Sequence, residues 1–293
     1  MNVRLKGLLL GIIAAASYGT NPLFAVPLYK AGLTTDTVLF LRYLIAIPVM
    51  GLLILMRKGS FKVSWKQLIV LIIQGGLMAL SSLTLFMSYR YMDVGIASTL
   101  LFVYPILVAV IMALMFKERT GKLMIASICM ATLGIALLMR GGDGATVSLI
   151  GTLLVFASAL SYAIYIVAIN RTSLASVASL TVTFYVLIFG LFLFFGRIVA
   201  SDGVLFPTLP GWQLWGCVIG LVVFPTVISF TCTNGSIQAI GSTPTAILGA
   251  FEPVTAVVIG TFAFGEVLTP RIVSGMILVI IAVVLVIMRQ RSN

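Results

Sequence analysis

The chain has no histidine, only three cysteines and only seven acidic residues among 293. Without histidine there is no HExxH zinc helix and no histidine-based triad, and no GxSxG motif or other nucleophile–base pair takes their place. Cys129, Cys217 and Cys232 lie inside apolar stretches, odd in number and without metal-ligand spacing, so neither a disulfide framework nor a metal centre is expected. No GxxxxGK[ST] loop occurs, which argues against ATP as the energy source; "RGGDGA" at 140–145 reads as a turn, since no strand precedes it. Charged residues make up 9% of the chain, against roughly 25% in a soluble domain. Long polar stretches are missing too, so no soluble domain is hidden here. The expectation is a protein that is not an enzyme and carries no cofactor and no metal.

What the chain does have is 61% hydrophobic residues, in runs that recur along its whole length. The formal charge of +11 does not point to nucleic acid, because Lys and Arg stand in ones and twos at the edges of apolar runs and no basic face forms. The partner is the lipid bilayer. Taking roughly 20 apolar residues per crossing, the chain divides into ten helices, over 7–28, 35–56, 67–89, 94–116, 121–139, 149–168, 179–198, 212–233, 241–264 and 270–288. The first run stays apolar to about Leu28, too long for a signal-peptide core, and reads as an uncleaved helix.

An even number of spans puts both termini on one side. The connections on that side would carry Arg4, Lys6, Arg57, Lys58, Lys62, Lys66, Lys117, Arg119, Lys122, Arg171, Arg289 and Arg291. The other side has only Lys30, Arg90, Arg140, Arg197 and Arg271 near span ends. The positive-inside rule therefore places both termini in the cytoplasm.

The ten spans fall into two sets. "FVYPILVAVIMALMFKER" in the fourth span and "AFEPVTAVVIGTFAFGEV" in the ninth each place Glu thirteen residues after Pro, matching Pro105 with Pro253 and Glu118 with Glu266. "GLLLGIIAAASY" (7–18) and "GTLLVFASALSY" (151–162) align without a gap. Both matches, in order, argue for a duplication with halves 1–142 and 143–293. Five helices per copy is odd, so the second copy enters the membrane from the other side. The expected fold is an all-α membrane protein, ten transmembrane helices as two inverted five-helix repeats around a central cavity, a frequent plan for secondary transporters.

Polar groups within spans are costly and should face a cavity or a partner. Gln74, Ser81, Thr84 and Ser88 form one stripe on the third helix, and Thr226, Ser229 and Thr233 another on the eighth, with Asn234 beside them. The first helix offers Tyr18 and Asn21, and the sixth Ser158, Tyr162 and Tyr165. The bland account of each Ser and Thr is a bond back to its own helix. For Tyr18, Tyr104, Tyr162 and Tyr165, too deep for interfacial anchoring, cavity lining is the better account. Pro22, Pro105 and Pro253 mark expected kinks that free backbone carbonyls. Glu252, beside Pro253, would bind a cationic group of a substrate or carry a proton; the alternative is a structural clasp. Its counterpart in the first half is Tyr104, so the site is not symmetric. Arg42 in "LFLRYLIA" could meet a substrate carboxylate at the outer mouth, pair with a Glu, or extend to the interface. Glu118 and Glu266 read as solvated helix-end charges. The GxxxG pairs at 7–11 and 216–220 read as packing points within the chain.

The Pro-x12-Glu pattern, "LRYLIA" and "YRYMDVGIASTL" resemble the drug/metabolite transporter superfamily, and within it the ten-helix EamA-type branch, over essentially the whole chain. The resemblance implies a carrier in a bacterial inner membrane, often an exporter of amino acids and related metabolites. Pro105, Pro253, Glu118, Glu266 and Arg42 match positions that recur in that branch. The reading is a small-molecule exporter working by alternating access, driven by protons or substrate gradients, as a monomer or weak dimer. Its substrate site would draw on Tyr18, Asn21, Arg42, Gln74, Ser81, Tyr104, Tyr162, Tyr165 and Glu252. The alternatives are a broad drug or cation exporter, and a lipid-linked flippase or non-transporting scaffold.

Overall fold

A computed structural model of the chain describes residues 3–88, 91, 97, 100–117, 121–138, 148–201, 203–207, 211–264 and 269–292. Among them all regular structure is helical: α1 (Val3–Gly19), α2 (Asn21–Lys30), α3 (Thr35–Met56), α4 (Trp65–Ser88), α5 (Tyr104–Phe116), α6 (Lys122–Leu138), α7 (Leu149–Arg171), α8 (Ser179–Ala200), α9 (Trp212–Val222), α10 (Ser229–Ile240), α11 (Ser242–Leu248), α12 (Phe251–Phe264) and α13 (Pro270–Ser292). A π-helical segment, Val223–Ile228, joins α9 to α10. Among the described residues, seven stretches are long and apolar enough to cross a membrane: Val3–Lys30, Thr35–Met56, Trp65–Ser88, Leu149–Arg171, Ser179–Ala200, Trp212–Ile240 and Ser242–Ile259. Three shorter apolar helices, Tyr104–Phe116, Lys122–Leu137 and Pro270–Leu285, accompany them. Large apolar side chains cover the outside, among them Leu114, Phe192 and Phe262, as on a surface whose solvent is lipid.

Prolines decide where apolar runs break. Pro22, Pro105 and Pro253 each sit in the first turn of a helix, where a missing N–H costs nothing. The stretch 7–28 is thus two helices, parting at Thr20, whose hydroxyl donates to the Ser17 carbonyl at 2.7 Å. Likewise 241–264 is two helices parting at Gly249–Ala250, not one. Conversely, the helix expected to end at residue 233 continues to Ile240, since Asn234 and Ser236 find partners on neighbouring helices and the polar run need not be a loop. Gly241, at a φ of +89°, then ends it.

Helix α1 packs along α10, α4 between α7 and α8, α3 against α8, and α6 against α13. Small residues set these seams. A Cβ on Gly7 would come within 2.8 Å of the Ala239 side chain, and one on Gly134 within 2.8 Å of the Gly275 carbonyl. The 7–11 GxxxG pair is therefore a packing point inside the chain, as its sequence suggested. One end of the bundle gathers residues 57–67 and 171–185: Thr181 donates to the Ser60 carbonyl at 2.9 Å, and Arg171 lies over the Phe116 ring at 5.2 Å. At the other end, α3 and α8 meet through the Asp36–Arg197 ion pair, at 2.9 Å.

Candidate functional site

The break between α11 and α12 is the seed of the site. Pro253 has no N–H to give the Gly249 carbonyl, which accepts from Glu252 N–H instead, at 2.9 Å. The chain steps sideways there, and Glu252 opens α12 half-buried. Two glycines let neighbours close in. A Cβ on Gly19 would lie 2.5 Å from the Glu252 carbonyl oxygen, so α1 and α12 meet at backbone distance. Gly249 is the other, since a side chain there would overlap the Tyr104 hydroxyl. That hydroxyl crosses from α5 and donates to the Ala246 carbonyl at 3.0 Å, serving a helix end with few partners of its own.

A small cavity that opens outward lies against this break; its own space is about 20 Å³, room for a water-sized group, so a larger ligand would need the wall to widen. Gly11, Ala14 and Ala15 of α1 make room for it, and Tyr18 stands one turn further on. Tyr104 and Tyr162 meet edge to face at 4.9 Å on the opposite wall. Ser229 and Thr233 of α10 and Thr245 of α11 add hydroxyls. Glu252 is the one ionisable carboxylate among the described wall residues, and no described basic side chain stands beside it on the wall. The arrangement suits a positively charged group, held by a carboxylate and by the faces and hydroxyls of tyrosines.

Of the residues expected at a substrate site, the structure brings Tyr18, Tyr104, Tyr162 and Glu252 to one cavity. The others lie off its wall. Ser158 donates to the Ser81 carbonyl at 2.7 Å and its hydroxyl meets that of Ser81 at 3.1 Å, joining α7 to α4. The Tyr165 hydroxyl donates to Asn234 Oδ1 at 2.8 Å, and Asn234 Nδ2 to Thr183 Oγ1 at 3.0 Å, a buried chain across three helices. Gln74 is buried in α4, and Asn21 half-buried at the start of α2; each has a side-chain oxygen with no hydrogen-bond partner. Thr84 and Ser88 bond back to their own helix.

Arg42 departs most from expectation. It sits not at a mouth but 1% exposed in the packed interior. Its Nε donates to the Thr226 hydroxyl and its Nη2 to the Pro225 carbonyl at 2.7 Å, while its guanidinium lies over the rings of Tyr18, at 5.7 Å, and Phe230, at 5.5 Å. Sequence reasoning missed Pro225 as the cause. Lacking an N–H, Pro225 orphans the Leu221 carbonyl; Thr226 supplies the missing donor through its hydroxyl at 2.7 Å, and the helix widens to π geometry. The signal was Pro beside Thr within an apolar run. The wall's Gly11, Ala14 and Ala15 were missed as well, since small apolar residues look the same whether they pack or leave space. Glu118, Glu266 and 140–145 lie outside the described residues.

Several long apolar helices with a polar, carboxylate-bearing hollow among them define a multi-pass membrane protein. The EamA-like transporter family matches the chain over residues 5–140 and again over 149–288. The chain belongs to that family and is a transporter. It is 23% identical over 249 residues to the uncharacterized transporter YyaM of Bacillus subtilis (strain 168), covering 83% of this chain and 81% of that one. The uncharacterized transporter YetK of the same organism is 24% identical over 226 residues, covering 75% and 68%. An uncharacterized transporter of Archaeoglobus fulgidus is 29% identical over 183 residues, covering 60% and 61%. A solved crystal structure superposes with a TM-score of 0.83 at 18% identity over 99% of both chains, a likeness of fold.

Proposed function

We propose that the protein is a secondary carrier that exports small amine-bearing polar metabolites, amino acids or their derivatives, by alternating access. The observation that carries this reading is Glu252 at a broken helix, facing a cavity walled by tyrosines and hydroxyls. In this reading ten spans form two inverted repeats, 1–142 and 143–293, in an inner membrane with both termini cytoplasmic. The helix contacts support it by their exchange symmetry. Contact of α4 with α7 is answered by α10 with α1, α4 with α8 by α9 and the π segment with α3, and α5 with α7 by α12 with α1, while α3–α8 and α6–α13 map onto themselves. The double family match supports it as well. The gathering of Lys58, Lys62 and Arg171 at one end of the bundle supports the orientation.

Counterflow in proteoliposomes against a panel of amino acids and nucleobases tests the reading: accelerated uptake of at least one amino acid is expected, and no uptake of any by folded protein would sink it. A second reading, a broad organic-cation exporter, is favoured by the lone carboxylate of the described wall. Under it, Glu252→Gln abolishes transport of permanently charged cations and spares zwitterions. A flippase would fit a laterally open, Leu- and Phe-lined groove better than this hydroxyl-rich wall.

A further inference from the structure

Arginine grips a carboxylate best along one edge, where Nε–H and a terminal N–H point the same way and meet two oxygens. Among the described residues, Arg197 and Arg42 use that edge. At the bundle end, Arg197 gives Nε and Nη2 to the two oxygens of Asp36, at 2.9 and 3.3 Å. Inside, Arg42 turns the same pair of donors to the π segment, Nε to the Thr226 hydroxyl and Nη2 to the Pro225 carbonyl. Two oxygens from neighbouring residues stand where one carboxylate's pair would stand.

They are a weak substitute. Both acceptors are neutral, and among the described residues no acidic side chain pairs with Arg42, so a guanidinium is buried without a counter-charge. The hydroxyls of Tyr29 and Tyr43 are buried within the electrostatic reach of Arg42, with only the neutral hydroxyls of Thr35 and Ser82 beside them. Tyr18, on the cavity wall, interacts electrostatically with both Arg42 and Glu252 and so lies where the two charges can share a ligand.

We propose that the Nε–Nη2 edge of Arg42 is a carboxylate subsite, occupied in this structure by the protein's own backbone carbonyl and hydroxyl, and that a substrate carboxylate replaces them. The inference rests on the carrier reading and gives its substrate a second handle: the amine goes to Glu252 and the carboxylate to Arg42, with Tyr18 between. Replacement has a mechanical consequence. The Arg42 contacts tie α3 to the π segment, and the adjoining Phe224 stacks on Phe24 of α2 at 5.8 Å. A carboxylate on Arg42 releases that tie, so binding and loosening of the seam become one event. The differential affinity that a conformational change requires is then explicit: the ligand binds the released arginine and not the engaged one.

Ala25, 5% exposed on α2 and next in the chain to the Phe24 that stacks on Phe224, reports the seam. In protein with Cys129, Cys217 and Cys232 replaced by serine and reconstituted in nanodiscs, Ala25→Cys is labelled with an impermeant maleimide in the presence of acetate or of acetamide. Acetate raises the labelling rate about tenfold and acetamide leaves it unchanged. Arg42→Gln labels fast without acetate and does not respond to it. Should Arg42→Gln not fold, Arg42→Lys, which keeps the charge without the two-donor edge, is expected to lose the acetate response. Equal response to both probes, no response to acetate, or a wild-type response in the folded Arg42 variant overturns the subsite. Counterflow separates this from the carrier reading. If amino acids and their amides exchange equally fast, the subsite falls and the carrier stands; if acetate still opens the seam while no amino acid exchanges, the amino-acid reading falls and the subsite stands.

Discussion

The Pro-x12-Glu alignment sets Tyr104-Pro105 against Glu252-Pro253, and each proline opens a helix, α5 in one and α12 in the other. Their chemistry diverges at once. The Tyr104 hydroxyl is spent on the Ala246 carbonyl, reached across Gly249, whereas Glu252 faces the cavity. In the first half the place of Gly249 is taken by Leu101, which offers no such passage. The difference teaches that the backbone break is shared while the charge is not. One segment braces the other's helix end so that the other can hold a carboxylate at a fixed height in the wall. Tyr18 and Tyr162, equivalent in the 7–18 and 151–162 alignment, both stay on that wall and keep the pairing visible.

That comparison can be broken at its most unequal point first. Glu252→Gln keeps the shape and removes the charge; substrate uptake in proteoliposomes is expected to fall about 100-fold, the worth of a charge-assisted contact of ~3 kcal/mol. If uptake is unchanged, Glu252 is a structural clasp. Gly249→Val closes the passage for the Tyr104 hydroxyl, and overpacking of ~1–3 kcal/mol should appear as a lower melting temperature together with slower transport. Tyr104→Phe removes the brace without adding bulk. A neutral hydrogen bond of ~1 kcal/mol predicts about a fivefold loss of affinity in counterflow, with the fold intact. Ser81→Ala sharpens the contrast from the other side, because Ser81 lies off the wall and its carbonyl still accepts from Ser158; transport should change less than about twofold.

Much of the fold was legible because lipid imposes a simple rule: apolar runs of sufficient length become helices, and prolines mark their breaks. The whole-chain resemblance was legible for the same reason, carried by residues such as Pro105 and Pro253 whose spacing survives in both halves. The site was legible only in part. Tyr18 and Glu252 stood out because a large polar group deep in an apolar run must meet a cavity or a partner to offset its desolvation. Ser81 and Tyr165 satisfied the same rule equally well, yet they are spent between helices, on Ser158 and Asn234. Thr226 was visible only as one member of a polar stripe and Pro225 as no site residue, since their importance lies in a carbonyl of residue 221 that only the folded helix orphans.

The sequence by itself determined where the chain meets lipid, where its helices break, and that a carboxylate and several tyrosines are carried into apolar surroundings. Those follow from hydropathy and from backbone chemistry local to each residue. Only the tertiary structure decided which of the polar groups share a cavity and which arginine edge is engaged, and by what. Periodicity gives a helix one polar face but does not say what that face meets; that depends on how each helix is rotated against neighbours distant in sequence, and glycines such as Gly19 and Gly249 set it by admitting a neighbour to backbone distance.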